Sequence, residues 1–202
     1  EKEGQAITQI TDAKLLKRNK ATTIAIQEAN TPKIFHIASH AYYLPPDKKN
    51  IENPLLRSGI VLAGANNPED NDQDDGYLTA LEVTKLDLKG TQMVVVSGCE
   101  SGKGDIQSGE GVYGLKRAIA VAGARSSLLS LWKVDDAATA AFMESFYQNL
   151  KNGQGRADAL LETQKDFREK KITSGDPLMD WSEPYYWAAF QLSGDWTPIE
   201  DL

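Results

Sequence analysis

The chain has 202 residues, with 29 acidic and 22 basic side chains for a formal net charge of −7, one cysteine and two histidines. Apolar residues make up 41% and charged residues 25%, an ordinary globular composition that excludes a disordered or collagenous chain. One cysteine excludes an internal disulfide and a cysteine-rich zinc site, and the acidic balance argues against nucleic acid or an anionic membrane as main partners.

No apolar stretch approaches the roughly 20 residues of a membrane helix, and Glu1-Lys2-Glu3-Gly4 lacks the apolar core of a signal peptide. A reducing, cytoplasmic setting is therefore expected. A chain of this length supports one full core, burying on the order of 70% of its unfolded surface without staples.

Residues 5–10 read as the end of an amphipathic helix, and Lys14-Leu15-Leu16-Lys17 as a short strand. Thr22 to Ala29 reads as a helix stopped by Asn30-Thr31-Pro32. Ile34-Phe35-His36-Ile37-Ala38 has the apolar character of a strand buried on both faces. Residues 42–80, rich in Pro, Asn, Asp and Gly, read as a long excursion whose apolar island Gly59 to Ala63 makes a hairpin or edge strand. Thr79 to Leu86 reads as a short helix, with Thr79 as cap and Glu82 three residues on.

Met93-Val94-Val95-Val96 is the strongest strand signal, three of its four residues being β-branched. A glycine-rich loop runs from Gly98 to Gly109. The helix after it carries Val112, Leu115, Ile119 and Ala122 at helical spacing and ends at Gly123. Ser127 to Trp132 reads as a strand, 137–150 and 156–170 as helices around Gly153, 172–184 as loop and Tyr186 to Leu192 as a last strand. This alternation predicts a mostly parallel sheet with helices on both faces, whose chemistry lies beyond the carboxyl ends of its strands.

His40 falls just past the strand at 34–38 and Cys99 just past the strand at 93–96, so neighbouring parallel strands would bring an imidazole and a thiol to one sheet edge. That pair is the minimum for nucleophilic acyl transfer: the imidazole takes the thiol proton and later protonates the leaving amine. The small-residue turn Ser97-Gly98-Cys99-Glu100-Ser101-Gly102 would expose the sulfur, and the N–H groups of Ala41 and Cys99 are candidates to face an oxyanion. The plainer reading is a small buried thiol. His36, in mid-strand, reads as a satisfied core histidine.

Several stretches, taken in order, resemble the CHAT domains, which are caspase-like cysteine peptidase domains related to caspases and separases. His36-Ile37-Ala38-Ser39-His40-Ala41 resembles their His-x-x-x-His-Gly element. It is followed by Pro54 to Gly64, Asp75 to Val83, Ser97 to Gly102, Gly109 to Leu115, Ala122 to Ser126 running into Ser130 to Asp136, and Tyr185 to Phe190. The resemblance spans about residues 3 to 196. It implies a caspase-like α/β three-layer sandwich with a hairpin-bearing insertion, His40 as general base and Cys99 as nucleophile. Ala41 and Cys99 would be the oxyanion donors, and His36 the family's first, non-catalytic histidine.

Departures are Ala41, where the family has glycine, Gly98, where it has alanine, and a start inside the family's acidic helix. The last implies a fragment lacking the family's first strand. The resemblance also implies a protein substrate and TPR repeats in the same full-length chain or a regulatory partner; no cofactor, metal, direct nucleic-acid contact or membrane contact is expected.

Leu131 to Asp136 resembles the segment lining the substrate pocket of caspase-like enzymes. Asp136, with neighbours Asp135 and Trp132, would receive a basic P1 side chain by charge-assisted pairing. The competing reading has an aspartate capping the helix that follows. The sequence thus predicts a cysteine endopeptidase cutting after Arg or Lys, with an inactive caspase-like interaction module as the alternative.

Three patterns are decoys. Gly109-x-Gly111-x-x-Gly114 stands too far from its strand for a dinucleotide loop. Asp70-x-Asp72-x-Asp74 lacks the glycine and the final carboxylate of a calcium loop and reads as a solvated acidic loop. Lys14, Lys17, Arg18 and Lys20 read as a solvated basic edge.

Overall fold

The computed structural model describes residues 1–44, 53–66, 74–98, 110–133 and 135–202. In chain order they form α1 (Lys2–Thr11), a 3-10 turn (Arg18–Lys20), α2 (Thr23–Gln27), β1 (Ile34–Ile37) and β2 (Ala41–Tyr43). A second 3-10 turn (Pro54–Leu56), β3 (Ser58–Val61), β4 (Tyr77–Thr79), α3 (Ala80–Val83) and β5 (Met93–Val96) follow. The chain then runs through α4 (Glu110–Ala122), β6 (Ser126–Ser130), α5 (Asp136–Lys151), α6 (Arg156–Arg168), α7 (Pro184–Trp187) and β7 (Phe190–Gly194).

The main sheet has four strands in the order β1-β5-β6-β7; the first three are parallel and β7 is antiparallel to β6. A separate antiparallel sheet, β2-β3-β4, is the hairpin-bearing excursion that the apolar island at 59–63 predicts.

β5 occupies an inner position because all four of its residues are apolar and buried. The strand pleat sends alternate side chains to opposite faces. Met93 and Val95 join the core under α1, α5 and α6, with Ile7, Phe142, Phe146 and Phe167. Val94 and Val96 join a second core with Leu115, Ala118 and Ile119 of α4 and with Ile60 and Leu78 of the small sheet. The result is an α/β arrangement with helices on both faces of a mostly parallel sheet. Phe142 is fully buried and stacks on Phe190 at 4.3 Å between ring centroids, so α5 grips β7 directly.

Local sequence explains several helix boundaries. Thr79 and Glu82 complete the capping box, Glu82 N–H donating to Thr79 Oγ1 at 3.2 Å and Thr79 N–H to Glu82 Oε2 at 2.8 Å. Gly123 ends α4 at φ +106°, a conformation disfavoured for side chains with a Cβ. Gly114 lets α4 lie close on β3, since a Cβ there would come within 2.7 Å of Ser58 Oγ.

Three expectations are corrected. Lys14 to Lys17 forms no strand; the four residues are exposed and Leu15 folds back onto Gly4 of α1. The aromatic run at 185–187 is a helical turn, started by Pro184 at its first position, and the strand begins only at Phe190. Asp74 is not a solvated acidic residue. It is buried and accepts from Thr23 Oγ1 at 2.6 Å, Ile24 N–H at 3.3 Å and Gly76 N–H at 3.0 Å. Burial alone would raise its pKa, but these hydrogen bonds outweigh burial and hold it below the ordinary carboxylate range. Asp70 and Asp72 lie outside the described residues.

Truncating Phe142 removes a ring shared by α5, α6 and β7. Phe142→Ala is expected to cost about 3–5 kcal/mol of unfolding free energy, read from the urea midpoint at unchanged slope.

Candidate active site

β1 and β5 pair in a register that matches Ile34 with Met93 and Ile37 with Val96. The pairing runs on past the strand ends, where Ser97 N–H donates to the Ile37 carbonyl at 3.2 Å and Ala41 N–H to the Gly98 carbonyl at 3.1 Å. His40 is the third residue after Ile37. Cys99, the third after Val96, lies outside the described residues, as does Val134.

His40 occupies the short link between the two sheets, since β1 ends at Ile37 and β2 begins at Ala41. Its carbonyl accepts from Val61 N–H of β3 at 2.8 Å, Ser39 Oγ donates to the Val61 carbonyl, and its side chain is exposed. The backbone of His40 is therefore fixed from both sheets while the imidazole stays accessible.

The close approach of this link to β5 depends on Gly98. A Cβ at that position would overlap the Ser39 carbonyl. The glycine that departs from the resembled pattern is thus required by local packing. Ala41, the other departure, is buried, and its N–H is engaged by Gly98 rather than directed to open space.

His36 lies on the α1 face of β1 and is held at both ring nitrogens. Nε2 is 2.9 Å from Glu3 Oε1, and Nδ1 is 2.9 Å from the Tyr147 hydroxyl. Burial opposes ionisation of Glu3, but the hydrogen bond and attraction of His36, with a further hydrogen bond from Ser97, keep its pKa below the ordinary value. Burial, and then the Glu3 charge, push the Tyr147 hydroxyl well above the usual tyrosine range, so it remains a phenol. With Glu3 ionised, His36 donates from Nε2, and in the neutral ring Nδ1 accepts from the phenol.

Beyond β6, Trp132 Nε1 donates to the Tyr185 carbonyl at 3.0 Å. Asp135 caps α5, its Oδ1 accepting from Ala137 N–H at 3.0 Å and Ala138 N–H at 2.9 Å. Asp136 opens the helix with an exposed carboxylate. Among the described residues, no group of three or more His, Cys, Asp or Glu side chains is placed to hold a metal ion. Nor is any helix there long and apolar enough to cross a membrane.

The sequence matches the CHAT domain family over residues 1–195. The chain belongs to the CHAT domain family. This family lies in the caspase-like peptidase clan, and the two-sided α/β sheet agrees with it. The CHAT domain is also 37% identical over 117 residues to tetratricopeptide repeat protein 28 of Homo sapiens, and 33% identical over 117 residues to that of Mus musculus. In both cases the match covers 58% of this chain but 4% of the relative.

The structure of the CHAT domain brings forward two residues that carried no local signal, Glu3 and Tyr147, and sets Ser97, read from the sequence only as part of the turn before Cys99, against the Glu3 carboxylate. Glu3 is 33 positions from His36 and Tyr147 is 111 positions from it. Only the burial of a histidine in mid-strand hinted that polar partners were needed.

Two outcomes are expected. Gly98→Ala forces the Ser39 link away from β5, so the variant should melt at lower temperature when followed by circular dichroism. Glu3, with its folded pKa below the unfolded value, contributes stability that is complete above about pH 5 and is lost as pH falls through the folded pKa. The stability gap between the wild type and Glu3→Gln, followed by urea unfolding, should therefore narrow on acidification.

Proposed function

We propose that this CHAT domain is a cysteine endopeptidase using His40 as general base and Cys99 as nucleophile. The observation carrying this reading is the β1–β5 register, in which His40 and Cys99 stand at equal offsets beyond the paired residues Ile37 and Val96. The Gly98–Ser39 contact supports it, because it holds the residue before Cys99 against the backbone leading into His40.

The Cys99 thiol loses its proton to His40, and the sulfur adds to the scissile carbonyl. Collapse of the adduct expels the amine, which takes the proton from His40 and leaves an acyl thioester. Water, deprotonated by His40, then hydrolyses the thioester and regenerates the thiol. The oxyanion donors are the N–H groups of Cys99 and Ala41. For Ala41 this means exchanging its 3.1 Å bond to Gly98 for one to the substrate.

An extended polypeptide with a basic P1 residue is the substrate class, and no cofactor takes part. Asp136 is the better candidate for the basic side chain, because its carboxylate is exposed while that of Asp135 is engaged in capping. Trp132 would form a wall of the pocket. Regulation by TPR repeats in the same chain, or by a separate partner, is part of this reading and rests on the names of the relatives.

A second reading, an inactive caspase-like interaction module, is favoured by the engaged N–H of Ala41. A fluorogenic panel with Arg, Lys, Asp and Leu at P1 separates the two. Under the first reading Cys99→Ala abolishes cleavage, His40→Ala lowers it by about a hundredfold or more, and Asp136→Asn reduces the preference for Arg and Lys. Cleavage that survives Cys99→Ala refutes the nucleophile, equal turnover across the panel refutes the basic pocket, and no His40-dependent reaction with any peptide supports the module.

A further inference from the structure

We propose that Glu3, His36 and Tyr147 form a positioning unit that sets the seat of His40 and makes it depend on the docking of α1. The inference rests on the His40/Cys99 reading and names a control element for that site.

His36 stands on β1, four residues before His40 in the link that follows the strand, and both its ring nitrogens are occupied, by α1 on one side and α5 on the other. An imidazole held at two points cannot turn about its ring axis. The segment of β1 that bears it is thereby tied to two helices as well as to β5. The His36 and Glu3 side chains are each only 12% exposed, so water does not readily replace either partner. On the β5 side, the same carboxylate is also reached by Ser97, two residues before Cys99.

Glu3 is not needed merely to dock α1. Ile7 is buried in the core with Phe146 and Tyr147, Ile10 packs against that core, and Lys151 Nζ donates to the Ile10 carbonyl at 2.6 Å. Removing the charge of Glu3 should therefore leave the helix in place while loosening His36. A helix anchored by apolar packing but linked to the site through one carboxylate can transmit a small shift to the dyad with little change elsewhere.

The single cysteine gives a direct readout. Alkylation of Cys99 by iodoacetamide, followed between about pH 5 and about pH 9, reports the thiolate and its coupling to His40 without requiring a substrate. The wild type, His40→Ala, Glu3→Gln and Tyr147→Phe are compared at temperatures where each is folded by circular dichroism.

The positioning role predicts that Glu3→Gln and Tyr147→Phe move the profile toward that of His40→Ala, with alkylation near neutral pH slowed about tenfold. Tyr147→Phe keeps the buried ring, which guards against a variant that fails to fold. Profiles of both variants that superpose on the wild type, while that of His40→Ala differs, overturn the positioning role and leave the dyad intact. A His40→Ala profile identical to the wild type overturns the dyad itself, and the positioning role with it.

Discussion

The parallel pairing of β1 with β5 is the constraint on which the other features depend. It sets which residues emerge together at the sheet edge, and it does so through backbone hydrogen bonds rather than side-chain chemistry. A slip of one residue would turn Met93 and Val95 toward α4, and Val94 and Val96 toward α5. Both cores would lose their complementarity at once, so two independent packing surfaces enforce one register. The Gly98–Ser39 approach extends the same constraint past the strands, because only a residue without a Cβ allows the two chains to stay adjacent there.

Around this edge the molecule separates two tasks. The small sheet and β5 fix the backbone of His40, leaving its ring accessible, whereas the Glu3–His36–Tyr147 chain is buried and fully paired. Two histidines four residues apart on one segment therefore have opposite environments. The difference follows from which neighbours each meets: α1 and α5 cover His36, while His40 falls in the link between the two sheets and is exposed.

What was legible in the sequence followed local rules. The β-branched run at 93–96, the Thr79/Glu82 box and the glycine after α4 each state their structure within a few residues. The run Tyr185-Tyr186-Trp187 did not, because aromatic residues suit a strand and a helical turn alike, and Pro184 decided between them. Lys14 to Lys17 looked like a strand by composition, but no partner strand meets it among the described residues. Asp74 looked solvated in an acidic stretch and became a buried ligand of the α2 backbone through contacts some 50 residues away. The place of His40 just past β1 was legible because it follows a strand. The partners of His36 were not, since nothing near Glu3 or Tyr147 marks them as polar neighbours of one imidazole.

The antiparallel placement of β7 bears on how the domain is made. β6 and β7 are separated by about sixty residues of helix and loop, and the hydrogen bonds between them close the sheet on that side. On a ribosome, β1, β5 and β6 are synthesised first, and β6 waits with a bare edge while α5, α6 and the following loop emerge. Phe142 and Phe167 wait as well, since Phe190 completes their stack. Cooperative folding of the α5 side is thus deferred until almost the last residues described, and the nascent chain is most open to intermolecular strand pairing during that interval.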